Sequence, residues 1–219
     1  PEMMGLSLKN TAIHVWDTKK KKEIYHDFGE MLFTHFGVSG PIVLSASGDC
    51  AAYWQKKQTV LFAHIDLKPA LSESQLDARL LREIGAMPNK HLTSLLKTLL
   101  PQKLVPVFEE LVQISPDKVL HQLTKEERLR IARGLKDLSF TLTGTRPLAE
   151  GIVTAGGLAT KAVDPKTLAV KAIPGLFAAG ELIDVDAYTG GFNLQIAFST
   201  GHAAGLAAAR YVHDEEEGL

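Results

Sequence analysis

The chain has 219 residues, 45% hydrophobic and 22% charged, with a formal net charge of -1. That is room for one large domain or two small ones with an adequate core, and neither composition nor charge asks for nucleic acid. A single cysteine, Cys50, excludes an internal disulfide, and the lack of a C-x-x-C or Cys/His cluster argues against a metal site, so a reducing cytoplasm is expected. No apolar run approaches the roughly 18 residues needed to span a bilayer, and the N-terminus lacks the basic-then-apolar order of a signal peptide. The chain opens on Pro1 rather than Met, as expected where an upstream segment has been removed.

From Leu6 to about Phe36 the residues alternate as strands do, with Ile13 and Val15 set against Thr11, His14 and Asp17. Lys19 to Lys22, flanked by Asp17 and Glu23, reads as a solvated hairpin tip. Gly37 to Pro41 reads as a turn, with Pro41 in the first turn of a helix towards Trp54, and Thr59 to Leu67 as another strand. A helical block follows at about 72–137. Ser72 with Gln75 and Thr124 with Glu127 have capping-box spacing, Leu76, Leu80 and Ile84 share one face, and prolines at 88, 101, 106 and 116 cut short helices near Leu92–Leu100 and Val107–Ile114. Strand character returns at Ser139 to Thr143 and Gly151 to Thr154. Asp164 to Thr167 and Pro174-Gly175 make turns, and Leu176 to Ala179 reads as a short buried strand. A helix over about Gly191 to Tyr211, rich in Ala and Gly on one side, suits very close packing, and the tail HDEEEGL is expected to fray.

The segment Ile173 to Gly201, IPGLFAAGELIDVDAYTGGFNLQIAFSTG, carries the chemistry. A short strand ending in Gly180-Glu181 delivers a carboxylate that accepts hydrogen bonds from sugar hydroxyls. Thr189-Gly190-Gly191 then opens a helix, and amides near Phe192, Asn193, Leu194 and Gln195 converge on an anionic or carbonyl oxygen at its positive end. Asp184 or Asp186 orders the intervening loop, and Gly156-Gly157 brings backbone close to a neighbour. Each element also has a purely structural reading, as an ordinary turn or a helix cap with Thr189 as cap residue.

The segments EGIVTAGGLATKAVDPKT, IPGLFAAGELIDVDAYTGG and FNLQIAFSTG closely resemble the C-terminal part of the aminoacetone-oxidase-like (YhiN/BaiN-like) family of FAD-dependent flavoproteins, and LFTHFGVSGPIVL resembles the same family's inserted domain. The resemblance implies an α/β chain, α+β overall. Residues 1–150 would form an inserted β-barrel-like domain with a helical subdomain, and 151–219 the C-terminal portion of a Rossmann-like FAD-binding domain. It further implies hydride transfer between a small-molecule substrate and the flavin, with NAD(P)H as a candidate co-reactant. The cofactor-binding set would be Gly156, Gly157, Gly180, Glu181, Asp184, Thr189, Gly190, Gly191, Asn193, Leu194 and Gln195. The G-x-G-x-x-G turn with which the family opens is absent from this sequence, so the chain reads as the C-terminal half of a longer protein whose N-terminal half is its expected partner.

No catalytic acid or base is singled out. Of the eight histidines only His35, before a glycine turn, is a candidate to face the flavin, and Tyr188 is a candidate ring wall or proton donor. Ser39 and Ser199 lack a nucleophile-elbow context, Arg146 is expected to pair with a surface carboxylate, and Cys50 to be a small buried side chain. The competing reading is a non-catalytic module whose helical block docks a partner.

Overall fold

In the computed structural model, residues 2–57 and 59–217 are described, with side chains as far as His213. Two compact units divide the chain, residues 1–144 and 145–219. The tail is helical to Glu217, where fraying was expected, while Gly218 and Leu219 lie outside the described residues.

The first unit is built on a curled, five-stranded antiparallel sheet: β1 (Ser7–Asp17), β2 (Lys22–Thr34), β3 (Gly37–Ser39), β4 (Leu61–Asp66) and β5 (Leu138–Leu142), in spatial order β3-β2-β1-β4-β5. The period-2 alternation decides which face is buried. Ile13, Val15, Tyr25, Met31, Leu61, Ala63 and Ile65 point into the core. Asn10, at a positive φ of 58°, marks a bulge where the β1–β2 register slips between Leu8 and Thr11. The expected hairpin tip forms at the lysine turn. The turn expected at Gly37 to Pro41 lies instead at His35-Phe36, because Val38 and Ser39 continue to pair with Phe33 and Leu32.

Helix α1 (Pro41–Lys56) starts with Pro41 in its first turn and lies on β2, where Gly29 leaves room for Ile42. A Cβ at Gly29 would come within 2.7 Å of the isoleucine side chain. The helical block contains α2 (Glu73–Ala86), α3 (Leu92–Leu99), α4 (Val105–Val112) and α5 (Lys125–Lys136). Both capping boxes form, Ser72 with Gln75 and Thr124 with Glu127, each satisfying two backbone N–H groups left without intrahelical partners. Leu76, Leu80, Leu96, Phe108, Ile131 and Leu135 are fully buried in the same apolar cluster as the inner sheet face. The block is also tied to the end of β4: the Leu67 N–H donates to Leu135 O at 2.9 Å, and Lys136 pairs with Asp66.

The second unit has little regular structure apart from helix α6 (Phe192–Glu217). Its buried cluster comprises Val163, Leu168, Val170, Ala178, Ile183 and Ala204. Two strand expectations fail here. Gly151 to Thr154 forms no strand and Ile152 is 77% exposed; the Gly151 N–H turns back to Leu148 O, and no strand among the described residues pairs with the run. Leu176 to Ala179 is extended but makes one isolated bridge, Phe177 to Ala169, with Leu176 exposed. The turn at Asp164 forms as expected, its carboxylate accepting from the Lys166 and Thr167 N–H groups and the Thr167 hydroxyl. Those same bonds hold the Asp164 carboxyl below the usual aspartate range.

Candidate functional site

The candidate residues lie in the second unit, on three segments held by short-range bonds. Gly156 and Gly157 sit at φ 105° and 134°, conformations open to glycine and strained for other residues. At Gly157 the reason is a close approach: a Cβ there would lie 2.8 Å from Leu182 O and 3.2 Å from Asp184 N. The next residue is paired to the same strip of backbone, with the Leu158 N–H donating to Leu182 O at 2.8 Å and the Asp184 N–H to Leu158 O at 2.9 Å. The neighbour of the glycine pair is therefore the chain just after Glu181. Gly156 has nothing within 4 Å of a built Cβ.

Glu181 stands in a single 3-10 turn, Gly180–Leu182, rather than at a strand end. Gly180, at φ 61°, packs against Ala197 of α6, and its N–H donates to the Thr200 hydroxyl at 2.9 Å, which in turn donates to Ile196 O at 2.7 Å. Thr200 thus pins the turn to the helix while the Glu181 carboxylate remains exposed. Ala197 is five residues into α6, so the carboxylate turn docks within about 8 Å, along the axis, of the helix start.

Helix α6 begins at Phe192, and its first intrahelical bond runs from Gln195 N to Gly191 O at 3.0 Å. Gly191, at φ 87°, therefore takes the cap position, where the purely structural reading of the sequence puts Thr189, and space is open around it. The amides of Phe192, Asn193 and Leu194 have no intrahelical acceptor and carry the positive end of the helix dipole. The Asn193 side chain faces inward: its Oδ1 accepts from Ala187 N at 2.8 Å and its Nδ2 donates to Ala187 O at 2.7 Å, so it locks the acidic loop to the helix. Gln195 donates to the Ser199 hydroxyl at 2.9 Å. Asp184, Asp186, Thr189, Gly190 and Leu194 are exposed, as is Tyr188.

The structure thus brings Gly157, the Glu181 turn and the α6 start onto one scaffold. Helix-start amides without intrahelical acceptors, glycines with open space, and an exposed carboxylate nearby fit the carbonyl edge and the hydroxylated chain of a flavin. Sequence reading missed Thr200 as the clamp; the available signal was a hydroxyl on the otherwise alanine-rich inner stripe of α6. The other candidates stand apart. His35 is exposed at the tip of the β2–β3 hairpin, edge-on to Phe36 at 5.0 Å. Arg146 makes the expected surface pair, a forked contact with Glu150 at 2.6 and 2.9 Å. Cys50 is buried, and burial, aided by Asp49, pushes its thiol up to about 12.

Residues 1–153 match the family model of the HI0933-like protein barrel and H2TH domain. A ribosomal RNA dihydrouridine synthase of Haemophilus influenzae is 33% identical over 183 residues, covering 84% of this chain and 43% of that protein. The ribosomal RNA dihydrouridine synthase of Escherichia coli is 35% identical over 176 residues, covering 79% and 40%. A 3-dehydro-bile acid delta(4,6)-reductase of Clostridium scindens is 32% identical over 191 residues, covering 86% and 46%. The chain spans less than half the length of each of these relatives. With 153 of its 219 residues matched and relatives above 30% identity, the chain belongs to the HI0933-like family, the YhiN/BaiN-like flavoproteins, whose named relatives are oxidoreductases.

Proposed function

We propose that this chain supplies one wall of the FAD site in an oxidoreductase that acts on a carbon–carbon double bond conjugated to a carbonyl group. The names of the relatives share that chemistry. Dihydrouridine is uridine reduced across the ring double bond next to a carbonyl, and a 3-dehydro delta(4,6) bile acid is a conjugated dienone. The supporting observation is the docking of the Glu181 turn on α6 through Gly180 and Thr200, close to the helix-start amides that have no intrahelical acceptor. FAD, when bound, supplies the hydride-accepting and hydride-donating nitrogen of its ring.

The roles of the chain's own residues follow. Glu181 accepts hydrogen bonds from the ribityl hydroxyls. The Phe192, Asn193 and Leu194 amides, presented by Gly190 and Gly191, face the pyrimidine carbonyl and favour the negative charge that grows there on reduction, while the Gln195 amide is held by Gly191 O. Gly156 and Gly157 pass backbone near the ring, Asp184 and Thr189 shape the loop, and Asn193 holds it in place. The rest of the longer polypeptide is the partner that completes the site, and the cytoplasm is the compartment. Of the two substrate classes, the uracil of an RNA is favoured over a steroid, because two of the three relatives are named for ribosomal RNA.

The test is made in the complete polypeptide. Glu181→Ala lowers the ratio of flavin to protein absorbance after purification, and an unchanged ratio refutes the assignment. Turnover is then compared on uridine-containing ribosomal RNA and on a 3-keto-4,6-diene steroid, with NADH and NADPH in parallel.

A further inference from the structure

On the outer face of the sheet the strand register aligns rings across three strands. Trp16 of β1 lies opposite Phe62 of β4, His14 lies between His26 of β2 and His64 of β4, and Ala12 lies beside Phe28 of β2. His14 and His26 are stacked, with centroids 6.0 Å apart and planes within 15°. Unlike the inner-face rings these are open to solvent: the side chains of His14, His26 and His64 are 43%, 70% and 33% exposed, and Phe28 is 56% exposed. The carboxylates on the face are engaged, Glu23 with His14 at 2.7 Å, Asp137 with His64 at 2.8 Å, and Asp66 with Lys136.

Positive charge gathers at one end of this face. The β1–β2 hairpin tip carries Lys19 to Lys22, and the C-terminal end of α1 brings Lys57 to it from 35 or more residues further along the chain. Lys22 Nζ and Lys57 Nζ lie 5.8 and 5.7 Å from the centroid of the Tyr53 ring, a cation–π arrangement at both. Lys20 sits against Lys57 closely enough to hold the Lys57 ammonium below the usual lysine range. Asp17 beside them is buried and accepts from the Tyr53 hydroxyl, so it is turned away from the surface. An open depression of about 360 Å³ lined by Trp16, Thr18, Lys21 and His64 joins the lysine tip to the ring-bearing face. The net charge of -1 averages out this concentration, which arises only when the two basic segments meet in the fold.

We infer that the outer sheet face, with the lysine tip at its end, is a docking surface for single-stranded RNA. The rings offer stacking planes for unpaired bases and the lysines neutralise the phosphates that follow. The lysine tip, read from sequence as a solvated turn, is thereby assigned an anionic partner. The choice of RNA over DNA rests on the proposed reaction on uracil, whereas the surface itself does not.

The test uses the 219-residue chain and a fluorescently labelled twelve-nucleotide oligouridine, followed by anisotropy at several salt concentrations. Stacking on one aromatic ring is worth about 1–3 kcal/mol per base, so Phe28→Ala weakens binding by about 5-fold to 150-fold. Replacing Lys20, Lys22 and Lys57 together by Gln lowers the salt slope by about 2, at about 0.7 for each phosphate contact on a single strand. Phe28 and the lysine tip are exposed, and an unchanged circular dichroism spectrum confirms that both variants fold. No binding at low salt, binding that survives both variants, or tighter binding to duplex RNA each overturns the inference, and equal binding to oligothymidine overturns its choice of RNA over DNA, which stacking planes and lysines do not make by themselves. Flavin retention by the complete polypeptide is measured on the same Phe28→Ala variant. Retained flavin with lost RNA binding separates this surface from the cofactor site, so either reading can fail alone.

Discussion

Replacing Gly157 by Ala tests whether the glycine pair exists for the close approach seen at the 182–184 backbone. Two costs add. Holding a residue with a Cβ at φ 134° costs about 1–3 kcal/mol. Forcing that Cβ to within 2.8 Å of Leu182 O and 3.2 Å of Asp184 N adds about another 1–3 kcal/mol of overpacking, since a backbone carbonyl cannot swing away as a side chain does. Gly191→Ala is the control: φ is 87°, but nothing lies within 4 Å of the built Cβ, so only the conformational cost applies. Both tryptophans, Trp16 and Trp54, are in the first unit, so their fluorescence cannot report this loss. Amide hydrogen exchange can, because the Leu158 and Asp184 N–H groups make the two bonds across the junction. At about 1.4 kcal/mol per tenfold, a total of about 2–6 kcal/mol speeds exchange at both amides by about 30-fold or more, up to the unprotected rate. Gly191→Ala leaves them protected. Equal protection of these amides in the parent and in Gly157→Ala refutes the argument, as does an equal loss in both variants.

In the helical block, Leu80→Ala removes a fully buried side chain and costs about 2–5 kcal/mol, seen as a lower urea midpoint by tryptophan fluorescence. The neighbouring Leu81, 48% exposed, stays within about 0.5 kcal/mol on the same change. For Asp17, burial raises the carboxyl pKa, but the Tyr53 hydroxyl, the Lys20 N–H and the Lys20 charge together outweigh it and leave the pKa below the ordinary value. Its contribution to stability is therefore present above the unfolded carboxyl pKa and lost as pH falls through the lower folded value. Tyr53→Phe, which removes one of the lowering bonds, moves acid unfolding to higher pH, and an unmoved acid midpoint counts against the pairing. Cys50, with its thiol raised to about 12, stays unmodified by iodoacetamide at neutral pH until urea unfolds the chain; labelling of the native protein at the rate of a free thiol would contradict its burial.

The first unit was the more legible because its signals are local or periodic and its partners lie within it. Both capping boxes, the alternation of β1 around Ile13 and Val15, and Pro41 at a helix start act within a few residues, and each formed where expected. The short β3 was missed because Gly37 and Gly40 read as turn residues, while the pairing that makes 37–39 a strand comes from β2. In the second unit the same rules misled. Alternation at Gly151 to Thr154 says which face a strand would bury, but a strand also needs a neighbour to take up its backbone bonds. At the candidate site, the glycines and Glu181 were legible as types because few residues adopt positive φ or end a turn with a carboxylate. The functions of Asn193 and Thr200 were not, since a side chain's partner six or twenty residues away leaves no periodic trace.

Helix α6 explains why the site has to be judged in the complete polypeptide. Its inner stripe, Asn193, Ala197, Thr200 and Ala204, packs on the turns of the second unit. About 90° to 130° around the helix, Leu194, Phe198 and Val212 are 64%, 70% and 56% exposed, separated by Gly201, Gly205 and Ala209. A helix apolar on two sides is covered on two sides in its working state, and large side chains flanking small ones let another element approach closely. Leu148, Ile152 and Leu182 in the same unit are at least 70% exposed, against a buried cluster of six residues. The relatives, about twice as long as this chain, have the length for such a covering element. The proposed flavin contacts sit beside this open apolar surface, at the start of the same helix. Covering it would exclude water from the α6 amides and strengthen their hold on a developing negative charge. Flavin affinity and the burial of Phe198 are therefore expected to rise together. A Phe198→Glu change, which places a charge on the covered face while leaving Glu181 intact, should reduce flavin retention as Glu181→Ala does.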